Sequence, residues 1–285
     1  MRGARRIVGR LLTYAILLFW AVVCLFPLYW TATTSIKDQA AVLKGPTYVP
    51  TVDFEPSRVG WDSVLTGGMG ENFVRNARNS FVISVTSAAL AVILGAAAGY
   101  GLTRFNYRFG PWRNRDISFW FLSQLILPPA AVVMPILILY RELHLLDTHL
   151  GLILLYTVVN LPIVIWIMRD QFNSIPIELE QAALVDGATL FGAFRRVVIP
   201  IAAPGLVAAF ILCVIFAWNE YFFAAVLSAT RAVTLPWMIA GQVSSQGVRW
   251  WSMAALSTAA ILPLTIIGIL LERYIVKGLT AGAVK

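Results

Sequence analysis

The sequence predicts an all-α integral membrane protein that crosses the bilayer about six times and carries one short helical segment on its cytoplasmic side. Of its 285 residues 59% are hydrophobic and 13% charged, a balance that lipid can solvate and that departs from ordinary soluble domains. The apolar residues gather into about six runs of roughly 20, the length that spans a hydrocarbon core about 30 Å thick at about 1.5 Å per helical residue. The basic residues behind the net charge of +8 lie between those runs. That placement is an orientation signal and not a nucleic-acid patch.

The first run, Leu11 to Ala32, follows Arg2, Arg5, Arg6 and Arg10. It is longer than a signal-peptide core and has no convincing small-residue cleavage site, so it reads as an uncleaved helix with a cytoplasmic N-terminus. From Thr33 to Arg78 the chain is rich in Pro, Gly and polar residues, including Gly45-Pro46 and Gly67-Gly68, and reads as an extracytoplasmic loop with little regular structure. Its Lys37, Lys44, Arg58, Arg75 and Arg78 do not oppose that orientation, because long segments translocate largely regardless of charge.

Further spans are expected at Asn79–Leu102, Ile117–Leu139, Leu150–Met168, Pro204–Leu227 and Met253–Leu271. Gly95 and Gly99 in the second form a GxxxG pair suited to close helix packing, within the chain or against a sister subunit. Arg104, Arg108, Arg113 and Arg115 fall in the short second connection, and Arg273, Lys277 and Lys285 follow the last span. Both sets then face the cytoplasm, as the positive-inside rule requires, whereas the short outer loop from Arg141 to His149 holds one arginine.

Several chemistries are disfavoured. Cys24 and Cys213 each lie inside an apolar run and read as small buried hydrophobes. His144 and His149 flank Asp147, but two histidines and one carboxylate without cysteines make a poor metal set, and ordinary loop polarity is the better reading. Glu220 stands alone in its run, without the carboxylate cluster, histidine set or nucleophile-base pair of a membrane-embedded enzyme, so no catalytic residue is assigned. Gly67-Gly68-Met69-Gly70 is not a phosphate loop and no GxxxxGK[ST] occurs, so any ATP that drives the protein is hydrolysed on another chain. No strong internal repeat of the secondary-carrier kind is found.

The most informative stretch is the fourth connection, Arg169 to Ala203, and within it residues 174–200. Pro176 suits a first helical turn, and Glu178 and Glu180 complement the positive end of that helix. Leu179, Ala182, Ala183 and Asp186 share one face, Gly187 can take the left-handed conformation that ends a helix, and Thr189 can cap the next. Pro200 is expected to limit that second helix. Small residues such as Ala182, Ala183 and Gly187 admit another protein closely, which suggests a docking element; an interfacial helix resting on headgroups is equally compatible with the residues alone.

The spacing Gln181-Ala182-Ala183, three residues, Gly187, nine residues, then Val197 to Pro200 resembles the EAA motif of permease subunits of binding-protein-dependent ABC importers. The surrounding pattern, with Phe216 to Glu220, Asn160-Leu161-Pro162 and the tail Gly278 to Lys285, is similar to the maltose-type sugar and polyol branch. The resemblance implies a type I importer permease fold and a bacterial inner-membrane location with both termini cytoplasmic. It implies as partners two copies of an ATPase that bind ATP and Mg, a second homologous permease and an extracytoplasmic solute-binding protein. Glu180 to Gly187 would be the coupling helix seated on the ATPase, the tail ending at Lys285 would reach between the ATPase subunits, and the Ser228–Trp251 loop would face the binding protein. Gln181 departs from the usual Glu of the motif, so either the partner is adapted or a neighbouring glutamate substitutes.

For cargo, an ionised side chain near the bilayer centre costs at least about 2.5–3.5 kcal/mol, so Glu220 should face the interior, a cavity or the interface. Tyr156, Asn160, Trp218, Asn219, Glu220 and Tyr221 together offer the hydrogen-bonding and aromatic faces that a sugar needs, with Gln124 a further polar residue near a run. Against this stands a structural or gating use, in which Trp218 and Tyr221 are belt aromatics and Asn219 and Glu220 hold helices together. Rival functions are an importer of non-sugar cargo such as a phosphorylated polyol, which would show arginines facing the cavity, and a secondary carrier, which would not need the 174–200 segment.

Overall fold

The computed structural model describes residues 2–244 and 247–280. The chain divides into two compact units: residues up to Val74 with Met238–Pro263, and Arg75–Trp237 continued from Leu264. Among the described residues, five helices are long and apolar enough to cross a membrane, or six if one sharply bent pair counts as a single span. Residues 281–285 of the tail lie outside the described residues, and so does the expected role of Lys285.

In the first unit, α1 (Arg2–Thr34) exposes every side chain from Ile7 to Tyr29, Cys24 included, so Cys24 is not the buried hydrophobe expected. A largely apolar helix that exposes its side chains in this way is solvated by lipid or by another subunit. The following segment is more ordered than its Pro and Gly content suggests. It carries α2 (Gln39–Leu43), capped by Asp38, and α3 (Val59–Leu65). Lys37 is 2% exposed; its ammonium donates to Thr47 O at 2.6 Å and lies over the rings of Trp30 (4.6 Å) and Phe54 (4.8 Å). Burial lowers its pKa, while the Asp53 carboxylate opposes that shift. The long helix α4 (Gly67–Arg104) also begins well before Asn79. Met69 and Phe73, on its first turns, pack with Trp61 against Val64, Met238, Ala255 and Leu256, and this burial overrides the glycines that read as a loop.

In the second unit the rest of α4 packs on α7 (His149–Asn173) and α10 (Ile199–Asn219) through Ala88, Ala91, Ala96, Val164, Met168, Ala202, Ala209 and the buried Cys213. The GxxxG pair serves this internal contact: a Cβ on Gly95 would lie 2.6 Å from Val164 Cγ1, and one on Gly99 3.2 Å from Met168 Cβ. Between α4 and α7 run the hairpin β1 (Arg108–Phe109) and β2 (Trp112–Arg113), then α5 (Asn114–Ser123) with a 3-10 turn to Ile126, then α6 (Pro129–Glu142). The expected span 117–139 is therefore not one helix. It bends by 94° at Leu127 and Pro128, which are extended, because Pro128 and Pro129 donate no amide and each proline pushes the preceding residue out of the helical region.

Beyond α7 come α8 (Ile177–Val185), α9 (Leu190–Ala193) and a π-helical turn (Phe194–Val198) that runs without interruption into α10. Pro200 thus does not limit the helix as expected. The wider turn, with Ile199 N–H bonded to Phe194 O, accommodates the missing amide of Pro200. The expected span 204–227 starts earlier and is broken at Glu220, after which α11 (Phe222–Leu227), α12 (Leu235–Ala240), the hairpin β3 (Val243–Ser244) with β4 (Gly247–Val248), and α13 (Trp250–Thr280) complete the chain.

Replacing Gly95 by Leu should lower stability by about 1–3 kcal/mol through overpacking against Val164, whereas Gly9→Ala, which meets nothing within 4 Å, should be neutral or slightly stabilising. Thermal unfolding of both variants in detergent checks this.

Candidate coupling site

Helix α7 delivers the chain to a short exposed helix and α9–α10 takes it back. Pro176 precedes α8 with an extended ψ of 131°, and the helix ends at Asp186. Gly187 has φ +89°, a conformation that glycine reaches without strain, and Ala188 N–H closes the turn on Ala183 O at 3.0 Å. Thr189 then accepts from Gly192 N at 3.1 Å and starts α9. The expected helix, turn and helix are all present.

What holds α8 is a residue that the sequence assigns to the positive end of the helix and to its coupling segment. Glu180 is 4% exposed and points inward. One carboxylate oxygen accepts from Arg104 Nε at 2.6 Å and the other from the Tyr100 hydroxyl at 2.7 Å, while Arg104 Nη2 also donates to Ile175 O at 3.0 Å. Tyr100 in turn stacks on Phe194 (4.4 Å between centroids) and edge-on to Phe172 (5.6 Å). The end of α4 therefore grips α8 and touches both segments that flank it. Glu180 lies in the first turn of α8, as expected, but its burial prevents it from replacing Gln181 on the surface. Glu178, Gln181, Ala182, Asp186, Gly187 and Pro200 are exposed and Ala183 is half-buried. Around them Ile177, Leu179, Leu184, Val185 (88%) and Phe191 (69%) leave an apolar surface open.

The cargo candidates do not form one cluster. Tyr156 and Glu220 meet: the Tyr156 hydroxyl donates to Glu220 at 2.6 Å, and the same carboxylate accepts from Phe223 N (2.8 Å) and Ala224 N (3.1 Å), the orphan amides of α11. Asn160 and Trp218 are buried, at 3% and 5% exposure. Asn219 is exposed and donates to Ile215 O of its own helix at 2.8 Å, and Tyr221 is exposed at 46%. Glu220 thus ends one helix, begins another and fastens both to α7.

A family model described as "Binding-protein-dependent transport system inner membrane component" matches residues 91–281, which include Arg104, α8 and Glu220. The chain belongs to this family. Among similar members, the trehalose transport system permease protein SugB of Mycobacterium tuberculosis is 36% identical over 277 residues, covering 94% of this chain and 97% of the relative. The trehalose/maltose transport system permease protein MalG of Thermococcus litoralis is 29% identical over 272 residues, covering 93% of each. A chain from the crystal structure of a bacterial ABC transporter involved in the import of the acidic polysaccharide alginate superposes with TM-score 0.72 at 24% identity, over 94% of this chain and 96% of that one. The fold is that of a type I ABC importer permease, and the protein is a multi-pass inner-membrane transport component.

In this family member, sequence reasoning missed a polar knot at the opposite end of α7 from α8. Asp147, read as ordinary loop polarity, accepts from the backbone amides of Ala229, Thr230, Arg231 and Ala232 at 3.0–3.1 Å and from the Thr230 hydroxyl at 2.7 Å. Asn79 donates to Arg231 O (2.8 Å) and Val233 O (2.9 Å) and meets His149 Nε2 at 2.7 Å. Burial alone would push the Asp147 carboxyl up, but the converging amides outweigh it and hold the group well below the usual carboxylate range. The positive φ of His144 and Asp147 (both 55°) marks the tight loop that aims this side chain. Nothing in the local sequence names partners some 80 residues away, at Ala229 to Ala232.

Arg104→Met should destabilise the protein by on the order of 3–5 kcal/mol by leaving the Glu180 carboxylate buried and unpaired, and adding Glu180→Gln should recover much of that loss in thermal unfolding. Because Asp147 is held below its ordinary 3.8 in the folded state, its contribution is complete at neutral pH and is lost as pH falls through and below that value. The stability gap between wild type and Asp147→Asn should therefore begin to narrow as pH falls below about 5, near the free carboxyl's pKa, and go on narrowing as the pH falls further.

Proposed function

We propose that this chain is the permease subunit of an ATP-driven importer that carries a sugar, polyol or related carbohydrate into the cytoplasm, with both of its termini on the cytoplasmic side. The observation that carries the reading is the mounting of α8: a short helix with an open apolar surface, anchored through Glu180 to the end of a membrane-crossing helix by Arg104 and Tyr100. A helix resting on headgroups would not need a buried ion pair to fix its position. A docking helix does, because a displacement imposed from outside must reach the membrane helices.

In this reading Gln181, Ala182, Ala183, Asp186 and Gly187 face a cleft in a nucleotide-binding subunit, with Glu178 the remaining exposed carboxylate close to the motif. Two such subunits bind ATP and Mg, a second homologous permease completes the pathway, and an extracytoplasmic binding protein delivers cargo to the face that holds the Asp147 knot. ATP favours the closed ATPase pair, and that difference in affinity is what turns the pathway outward; hydrolysis and release reset it. Motion of α8 passes to α4 through Arg104 and to α10 through α9 and the π turn. The three hydrogen bonds that the Glu220 carboxylate accepts favour a role for Tyr156 and Glu220 in holding the broken helix, with Asn219 and Tyr221 exposed at that break. Carbohydrate cargo is supported by the names of the similar permeases.

In proteoliposomes holding the full assembly, Ala182→Trp should cut cargo-stimulated ATP hydrolysis and uptake by roughly tenfold or more while the chain itself unfolds at the wild-type temperature. Uptake that survives this substitution and proceeds without ATP would instead identify a secondary carrier.

A further inference from the structure

We propose that the β1–β2 hairpin is a binding element for acidic phospholipid, with Arg108 and Arg113 taking the headgroup phosphate and Phe109 and Trp112 entering the acyl boundary. This depends only on the chain being embedded in a membrane and not on the transport reading.

The first observation is a pairing that opposes the fold. Arg108 lies directly across from Arg113, and Phe109 across from Trp112, in an antiparallel ladder of two residue pairs. Residues directly opposite each other share a face, so the hairpin has a cationic face and an aromatic one. Like charges at directly opposed positions destabilise a strand pair. Among the described residues, none of Arg108, Arg113 and Arg115 has a carboxylate within ion-pair distance. The nearby Asp116 carboxylate is taken by the Arg113 backbone amide at 2.9 Å. An anion between the two guanidinium groups turns the repulsive pair into a favourable site.

The second observation is that the hairpin is built and held in place. Gly110 supplies the positive φ (61°) that a two-residue hairpin turn needs at its first position. At the base, Asn114 accepts from Tyr107 N at 2.7 Å and donates to Leu102 O at 2.8 Å and Phe105 O at 2.5 Å, clamping the segment to the end of α4.

The third observation selects lipid as the source of the anion. The hairpin joins a membrane-crossing helix that ends at Arg104 to the broken span that begins at Asn114, so it stands at the height where both helices leave the hydrocarbon. Phe109 is 83% exposed and Trp112 43%, and the aromatic surface continues along α5 through Phe119 (69%) and Trp120 (46%). Trp112, Phe119 and Trp120, with Pro111, Asp116 and Ser123, line an open cavity of about 490 Å³. Exposed aromatics beside unpaired arginines at the bilayer boundary match a surface of negative phosphate over hydrocarbon. A free phosphate in solution has no use for the aromatic half.

Native mass spectrometry of the full chain in detergent, titrated with phosphatidylglycerol or phosphatidylcholine, tests the proposal. Wild type should retain phosphatidylglycerol preferentially, and Arg108→Gln with Arg113→Gln should weaken that retention on the order of tenfold. Arg113→Glu separates binding from folding, because it converts the repulsive pair into an ion pair. It should abolish the lipid preference while leaving the unfolding temperature in lipid-free detergent unchanged or raised. Retention of phosphatidylglycerol by both variants at the wild-type level overturns the proposal. So does displacement of the lipid by millimolar inorganic phosphate, or a loss of ATPase co-purification in Arg113→Glu with lipid preference intact, which would assign the arginines to a soluble anion or to a protein partner.

Discussion

A hydrocarbon interior offers no water to an unpaired amide or carbonyl, and that constraint shapes nearly every choice this chain makes. Where the sequence keeps the backbone helical, the lipid is satisfied at no further cost. Where it does not, something in the chain takes up the freed groups. At Glu220 the helix stops and its own carboxylate receives the first amides of the next one. At Pro200 the missing amide falls just after a π turn whose wider geometry absorbs it. At Pro128 and Pro129 the groups lost are donors that prolines never had. The irregular places are therefore not failures of helix formation but the points where the membrane domain changes direction.

This explains what the sequence reveals and what it conceals. Apolar runs report the number of spans because hydropathy is a property of single segments. The helix, turn and helix at 174–200 are legible for the same reason: Gly187 and Thr189 act on their immediate neighbours. The onset of α4 at Gly67 is not, because Met69 and Phe73 become helix-stabilising only through contact with Val64 and with Met238 and Leu256 far along the chain. The sharp bend after Ile126 was in principle readable from two adjacent prolines, but a continuous apolar run masks it.

The candidate site divides along the same line. The residues that meet solvent on α8 follow from the motif, whereas the residues that hold α8 do not. Glu180 looks like another acidic surface residue until Arg104 and Tyr100, both contributed by α4, turn it inward. Asp147 likewise looks like loop polarity until four amides from the 229–232 segment converge on it. In each case one carboxylate organises elements distant in sequence, and its chemistry is silent until the partner is in place.

The way Glu180 is gripped has a mechanical consequence. Apolar packing transmits compression but offers little resistance when two elements are drawn apart along their common surface. A carboxylate with a guanidinium on one oxygen and a phenol on the other, both within 2.7 Å, resists separation as firmly as approach. Any load placed on α8 is thus borne by the end of α4 under tension as well as thrust.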